Sequence, residues 1–292
     1  MKMRKSMIGA LVLLALCSPA HPCTIFFAHD GERALAGNNE DHANPEGRIW
    51  FMPAEKGKYG RVYFGVDDWI RQGGMNDQGL FFDTVWAPKL EMPELRDGRD
   101  YPGDLITKAM EECATVQEVI TLFKRLGPFY DPTPIPSVTG AMIFADKNGD
   151  SVIIEGGTHI RKRGRYQAMA NHYQSRPELG NMLPGRDDIA KQMLEESPEI
   201  SVDLFRRILA ATHLDNEVGF SRPTVYSNIY DLKKGLVYVY HFHNFENVAV
   251  IDLAEELKKG KHSYDIPSLF GPTYAFEIYK KGYRKFLESQ SP

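Results

Sequence analysis

Apolar and polar positions alternate over much of this chain, and the alternation is punctuated by Gly, Asn and Asp at turn positions. Residues 23–29 and 33–37 form two short strand patterns around Asp30-Gly31, a hairpin signal because glycine supplies the positive φ that tight turns need. Further strands are predicted over 48–52, 61–65 and 79–85. Residues 141–145 and 152–155 flank Asn148-Gly149, and 224–231 and 236–242 flank Lys233-Lys234-Gly235, so both pairs predict hairpins. Helical periodicity is confined to a few blocks. Over 115–126, Val116, Val119, Ile120 and Phe123 make one apolar face, Thr115 and Glu118 form a capping box, and Gly127-Pro128 stops the helix. A second block, about 186–212, breaks near Pro198 and restarts at Ser201 as N-cap, and 274–287 predicts a terminal helix. Hairpins, then helices, then hairpins, with no repeat or linker, predict one layered α+β domain over residues 23–292.

The start of the chain departs from this pattern. Lys2, Arg4 and Lys5 precede an unbroken apolar run over 7–17, followed by Ser18-Pro19-Ala20. A basic segment, a short apolar core and a small-x-small site describe a cleaved export signal, and the run is too short to span a bilayer. A cut after Ala20 leaves His21-Pro22 ahead of Cys23. Residues 1–22 therefore read as signal peptide plus short stub, and the mature protein as exported, periplasmic or secreted. Leu14-Ala15-Leu16-Cys17 resembles a lipoprotein cleavage box but carries leucine where a small residue is wanted, which disfavours a lipid anchor.

Composition excludes more than it selects. The 292 residues are 42% hydrophobic and 25% charged, as in globular proteins and unlike disordered ones. A formal net charge of -4 argues against a nucleic-acid partner, which draws a basic excess. The dense basic run Arg161-Lys162-Arg163-Gly164-Arg165 reads as a solvated turn. Cys17 falls in the signal, so Cys23 and Cys113 are the mature cysteines, too few for a disulfide framework, although export permits one bridge between them. His241-Phe242-His243, on a predicted strand, sets two imidazoles on one face. Without an acidic or cysteine pattern beside them this reads as a half-exposed strand face and not a metal site. No cofactor or metal is called for, and a homo-oligomer is compatible with the pattern.

If the His21-Pro22 stub is trimmed, Cys23 opens the mature chain and carries a thiol and a free amine on one residue. The thiolate is the nucleophile. A free α-amine titrates at about 7.7–8.0 and a thiol at about 8.5, so the neutral amine can take the thiol's proton. The alternative is a buried core cysteine, or one bridged to Cys113. Gly37-Asn38-Asn39-Glu40-Asp41 closes the first hairpin, so Asp41 lies within reach of the Cys23 amine or thiol; the same aspartate could instead cap its own turn. The segment Gln72 to Leu80, which includes Asn76, is glycine-rich but lacks the lysine of a phosphate loop, and reads as a tight loop beside the site. Ala168-Met169-Ala170-Asn171-His172-Tyr173 ends a strand. There the Asn171 amide could donate to a developing oxyanion, and His172 could act as a base. Trp50, Phe51, Tyr59, Tyr63, Phe64 and Trp86 read mostly as core, with some of them free to line an acyl pocket.

Taken in order, Cys-Thr-Ile-Phe, Gly-Asn-Asn-Glu-Asp, Gly-Met-Asn-Asp-Gln-Gly-Leu, Met-Ala-Asn-His-Tyr and Thr-Val-Tyr-Ser-Asn-Ile-Tyr-Asp-Leu resemble successive landmarks of one group of Ntn hydrolases. This is the group of choloylglycine hydrolases, penicillin V acylases, isopenicillin-type acyltransferases and acid-ceramidase-like amidases. The resemblance runs at intervals from Cys23 to about Leu253. It implies a four-layer αββα sandwich of antiparallel sheets and cofactor-independent hydrolysis of a linear C–N amide in a small-molecule N-acyl substrate, through a thioester acyl-enzyme. Carried over by position, it implies Cys23 as nucleophile, Asp41 as the carboxylate near its amine, Asn171 as oxyanion donor and Arg186 as the arginine behind the site. Asn38, Asn39, Asn76, Trp86 and His172 would lie next to the substrate or oxyanion. One departure stands out: Gly37-Asn38-Asn39 occupies the place where the group commonly has Gly-Arg-Asn, so a bidentate cation has become a neutral amide. The Cys-Thr opening and Asn-Glu-Asp also resemble cysteine dipeptidases of the same clan, the nearest alternative. A non-catalytic exported binding protein on the same scaffold is the alternative outside enzymes.

Overall fold

Alternation of the kind seen over 23–41 permits a strand to be buried on both faces, and the computed structural model of the chain shows it used that way. The structure describes residues 23–67, 70–88, 101, 103–126, 138–179, 185–215 and 222–290; the predicted signal segment and the helix stop at Gly127-Pro128 lie outside these. In chain order the elements are β1 (Thr24–His29), β2 (Ala34–Asp41), β3 (Gly47–Met52), β4 (Arg61–Val66), β5 (Ile70–Asn76) and β6 (Leu80–Pro88). Helices α1 (Leu105–Glu112) and α2 (Val116–Leu126) follow, then β7 (Val138–Asp146), β8 (Ser151–Glu155), β9 (Thr158–Arg161) and β10 (Tyr166–Met169). Next come α3 (Arg186–Glu196), α4 (Val202–Thr212), β11 (Thr224–Asp231), β12 (Leu236–His241), β13 (Asn244–Asp252), α5 (Leu253–Leu257), β14 (His262–Asp265) and α6 (Tyr274–Gln290).

The strands form two antiparallel sheets, one in the order β10-β1-β2-β11-β12-β13 and the other β14-β3-β4-β5-β6-β7-β8-β9. Side-chain parity sorts the core into three slabs. Ile25, Phe27, Ala34 and Ala36 of the first sheet meet Phe51, Val62, Phe64 and Phe81 of the second. The opposite parity of the first sheet, Phe26, Ala28 and Leu35, packs under α3 and α4 through Phe205, Ile208 and Leu209. On the far side of the second sheet, Tyr63, Leu80, Phe82 and Phe144 pack under α1 and α2. Helix, sheet, sheet, helix is the αββα sandwich. Gly37 belongs to this packing: a Cβ there would lie 2.6 Å from the Phe26 ring and 3.1 Å from Phe205, so only glycine lets the ring seat across the strand.

Local signals are used much as the pattern predicts. Thr115 Oγ1 accepts from the Glu118 N–H while the Glu118 carboxylate accepts from the Ala114 and Thr115 N–H groups, a reciprocal cap at the start of α2. Ser201 Oγ accepts from Leu204 N–H and starts α4. Gly149 and Gly235 take the positive φ of their hairpin turns. Three readings are corrected. Gly73 and Gly74 of the 72–80 segment are strand residues within β5, and only residues 77–79 turn, with Gly79 at φ 78°. The strand before His243 stops at His241; Phe242 and His243 take φ of 46° and 66° as the two turn residues between β12 and β13, so the imidazoles do not share a face. His241 itself is 3% exposed, buried against Phe270 and Phe276. Cys23 and Cys113 are both free, and the second sheet stands between them, Cys23 in the inter-sheet slab and Cys113 under α1 and α2.

Candidate active site

Register assembles the site. Ile25 pairs with Met169 on one side and Asn38 on the other. One further step past the Ile25–Asn38 pair sets Cys23 opposite Glu40, whose carboxyl lies against the thiol, while Asn171 lies in the bend that follows β10. Glu40 pairs in turn with Tyr226, and Tyr226 with His241. Directly opposite residues share a face with Cβ atoms about 4.5–5.5 Å apart, so Cys23, Glu40, Tyr226 and His241 make one rung, turned toward the second sheet. Asn171 Nδ2 donates to the Trp86 carbonyl of that sheet at 2.8 Å.

Cys23 is 1% exposed. Burial, with the charges of Glu40, Asp41 and Asp83, pushes its thiol well above the ordinary range, and the backbone N–H of Asp41 pulls the other way. A thiol so placed holds its proton until a base arrives. Cys113, in apolar surroundings, is pushed up to about 12 and is inert.

Asp41 lies on the other face of β2. Its carboxylate accepts from Arg186 Nη1 at 2.5 Å and from the Thr224 hydroxyl. Arg186 Nε donates to the Thr212 carbonyl at 2.6 Å. Burial raises Asp41 to about 6 in spite of the arginine beside it. Asn39 shares this face: Nδ2 donates to the Leu209 carbonyl and Thr212 Oγ1, both at 3.0 Å, and Oδ1 accepts from the Ser227 hydroxyl at 2.6 Å. Asn39, Asp41 and Arg186 therefore tie β2 and β11 to α3 and α4, behind the rung.

The remaining predicted residues divide. Asn38 faces the inter-sheet slab, with its amide between the Glu40 and Asp83 carboxyls. His172 Nε2 approaches Asp187 Oδ2 at 3.7 Å, beside the first turn of α3. Trp86 contributes its carbonyl, while its side-chain parity is that of Leu80 and Phe82, toward α1 and α2. Asn76 is not brought to the site. Its Nδ2 donates to the Met110 and Cys113 carbonyls at 3.1 and 2.8 Å, and its Oδ1 accepts from Gln78 and Leu80 N–H groups. It closes the corner between β5, β6 and α1 on the far side of the second sheet.

Two acidic side chains of the site do not stand out in the motifs. Glu40, 0% exposed, is the direct neighbour of Cys23 on the adjoining strand, and Asp83, 1% exposed, projects from β6 at the inward parity of Phe81 and Val85. Burial pushes both well above the ordinary carboxylate range, and for Glu40 the charges of Asp83 and Asp41 add to it. The available signal is an acid at an inward position of an alternating strand. Among the described residues no group of three or more His, Cys, Asp or Glu side chains is placed to hold a metal.

The two sheets and the two pairs of flanking helices define a four-layer αββα sandwich. Comparison of the sequence with family models and with curated proteins gives no match; comparison of the fold with solved structures does. A variant of the conjugated bile acid hydrolase from Clostridium perfringens superposes with TM-score 0.64 at 15% identity, covering 86% of this chain and 99% of that one. A second variant of that enzyme gives 0.62 at 15% identity over 83% and 96%. The penicillin V acylase from Agrobacterium tumefaciens gives 0.59 at 18% identity over 83% and 91%. At these identities the likeness is one of fold.

Proposed function

We propose that the mature chain is an exported N-terminal-cysteine hydrolase that cleaves a linear C–N amide bond. The observation that carries this is the buried Cys23 thiol beside Glu40 just ahead of β1, with the Asn171 amide, two residues past the end of β10, reaching across to the facing sheet. The fold, shared with a bile acid hydrolase and a penicillin V acylase, supports the same class, and the basic, apolar and small-residue succession over 1–20 supports export.

In this reading the α-amine of Cys23, freed by loss of residues 1–22, takes the thiol proton, and sulfur attacks the carbonyl carbon. The Asn171 amide, with a backbone N–H, receives the charge that develops on oxygen. The C–N bond breaks, the leaving amine departs with the proton held by the α-amine, and water then cleaves the thioester. Asp41 and Arg186 fix the strand end on which this geometry depends.

The test is the N-terminal mass of active protein together with kinetics on chromogenic N-acyl amides. Active enzyme should begin at Cys23 and show a mass adduct of one acyl group on that residue during turnover. Asn171→Ala should lower kcat by about 10²–10³ with little change in KM, the cost of one preorganised oxyanion donor. Active protein that begins at His21 removes the amine as base, and a raised KM with unchanged kcat removes Asn171 from the oxyanion site.

A further inference from the structure

Between the sheets, beside Cys23, hydrogen-bond acceptors collect with few donors to meet them. Glu40 Oε1 and Oε2, Asp83 Oδ2, Asn38 Oδ1 and Asn228 Oδ1 are all buried, and the donors that approach the two carboxyls are the one Asn38 amide, shared between Glu40 and Asp83, and the Cys23 thiol beside Glu40. The Tyr226 hydroxyl, which has no hydrogen-bond partner among the described residues, adds one more donor. The sequence places them together: Asn38 pairs with Asn228 and Glu40 with Tyr226 across β2 and β11, while Asp83 enters from β6 of the facing sheet. Asp83 has room because its register partner is Gly73, where any Cβ would collide with the Asp83 carboxyl. No ion pair reaches Glu40 or Asp83 among the described residues, whereas Asp41, one residue on and facing the other way, has Arg186. A buried acceptor without a donor, and still more a buried carboxylate without a cation, is costly. The Arg of the commoner Gly-Arg-Asn pattern would have supplied such a cation; this chain has Asn38.

We propose that this cage receives a primary ammonium group of the substrate, carried on the acyl side of the scissile amide close to the carbonyl. The inference rests on the hydrolase reading and names its substrate class: small aminoacyl amides, dipeptides with a free amine among them. The side follows from the order of events. The leaving amine must depart and water must enter before the thioester is cleaved, so the leaving group faces the open side. The acyl part stays bound to sulfur throughout and can occupy the interior. Burial of the cage is no obstacle peculiar to it, since Cys23 is as buried as Glu40 and a substrate that reaches the thiol reaches its neighbour on the rung. A divalent cation is the other occupant an oxygen cage admits.

The experiment compares three anilides with one leaving group on enzyme beginning at Cys23: alanine p-nitroanilide, propionyl p-nitroanilide and N-acetylalanine p-nitroanilide. The free amine should raise kcat/KM by about 100-fold or more over both others, because a site built to bind a polar group rejects analogues that lack it. Asp83→Asn should cut that ratio by about tenfold or more. A second arm uses Cys23→Ala protein, whose melting temperature should rise with alaninamide and not with propionamide or calcium chloride. Propionyl or N-acetylalanine anilide cleaved as fast as the free amine overturns the proposal while leaving the hydrolase reading intact. Stabilisation by calcium chloride and not by alaninamide overturns it in favour of a metal. Stabilisation by alaninamide without turnover of any anilide supports the cage and removes the hydrolase.

Discussion

Asp41 and Glu40 are neighbours in sequence with opposite duties, because adjacent strand residues point to opposite faces. Asp41 is held by Arg186 and Thr224 behind the sheet, so it supports the fold as well as the site. At pH 8, above its value of about 6, the pair is charged. Asp41→Asn then strands the Arg186 guanidinium, and breaking a buried pair from one side costs about 3–5 kcal/mol. A double variant with Arg186→Met should recover most of that loss, since the uncompensated charge is then gone. Urea unfolding of the two singles and the double at pH 8 measures it; a single variant as stable as the parent shows that the pair is not a support. At this scale short motifs pick out Cys23, Asn171 and Asp41 as candidates, but not that the Asp41 carboxylate turns away from Cys23 to Arg186 and Thr224. Glu40 stands within the same Gly-Asn-Asn-Glu-Asp segment, but a motif names positions and not the faces they take. Asn76 misled for the converse reason: a polar residue in a glycine-rich run near a predicted site serves here as a corner brace for α1.

Elements are set by their ends. Ser201 and the reciprocal Thr115–Glu118 cap were readable because capping is a local exchange of hydrogen bonds, independent of what the helix packs against. Ser201→Ala should cost about 1 kcal/mol of stability, within a range of about 0.5–2. It should leave kcat/KM unchanged, as α4 meets the sheet through Leu204, Phe205, Ile208 and Leu209 on its other flank. Thermal unfolding beside steady-state kinetics checks both halves, and an activity loss without a stability loss would tie the start of α4 to the site. Helix α1 shows the limit of local reading. It is only Leu105–Glu112, capped by Asp104, a stretch too short for periodicity to declare. Strands β13 and β14 likewise lack clear alternation, and pairing alone defines them.

On the scale of the whole molecule, buried titratable groups set opposing pH trends. Glu40, Asp41 and Asp83 are all raised, so the native state keeps their protons longer than the unfolded chain, and their contribution fades as pH climbs past the ordinary carboxylate range. His241 works the other way. Burial, with the charges of His243 and Lys280, lowers it from 6.5 to about 4. The unfolded chain therefore binds its proton first, and the stability it confers is full above about 6.5 and lost as pH falls toward 4. His241→Phe, which suits the rings of Phe270 and Phe276, removes that loss. Between pH 7.5 and pH 5 the parent should lose about 2 kcal/mol more than the variant, measured by urea unfolding at both pH values. Parallel losses would show that His241 is protonated in the fold as readily as outside it.

The chain's own pattern determined the class of the molecule. Strand patterns, glycine turns and capped helices are local and implied a layered α+β domain, while the resemblance carried by the ordered motifs from Cys23 to Leu232 implied the αββα sandwich that the two sheets and flanking helices form. Tertiary structure alone decided which residues share a rung. Register couples β10, β1, β2, β11 and β12 across most of the sequence, and a slip of one residue would exchange Glu40 for Asp41 beside the thiol. It also decided that Asp83, from the other sheet, faces Asn38 and Glu40, since contact between sheets depends on how two surfaces stack and leaves no trace in the spacing along either strand.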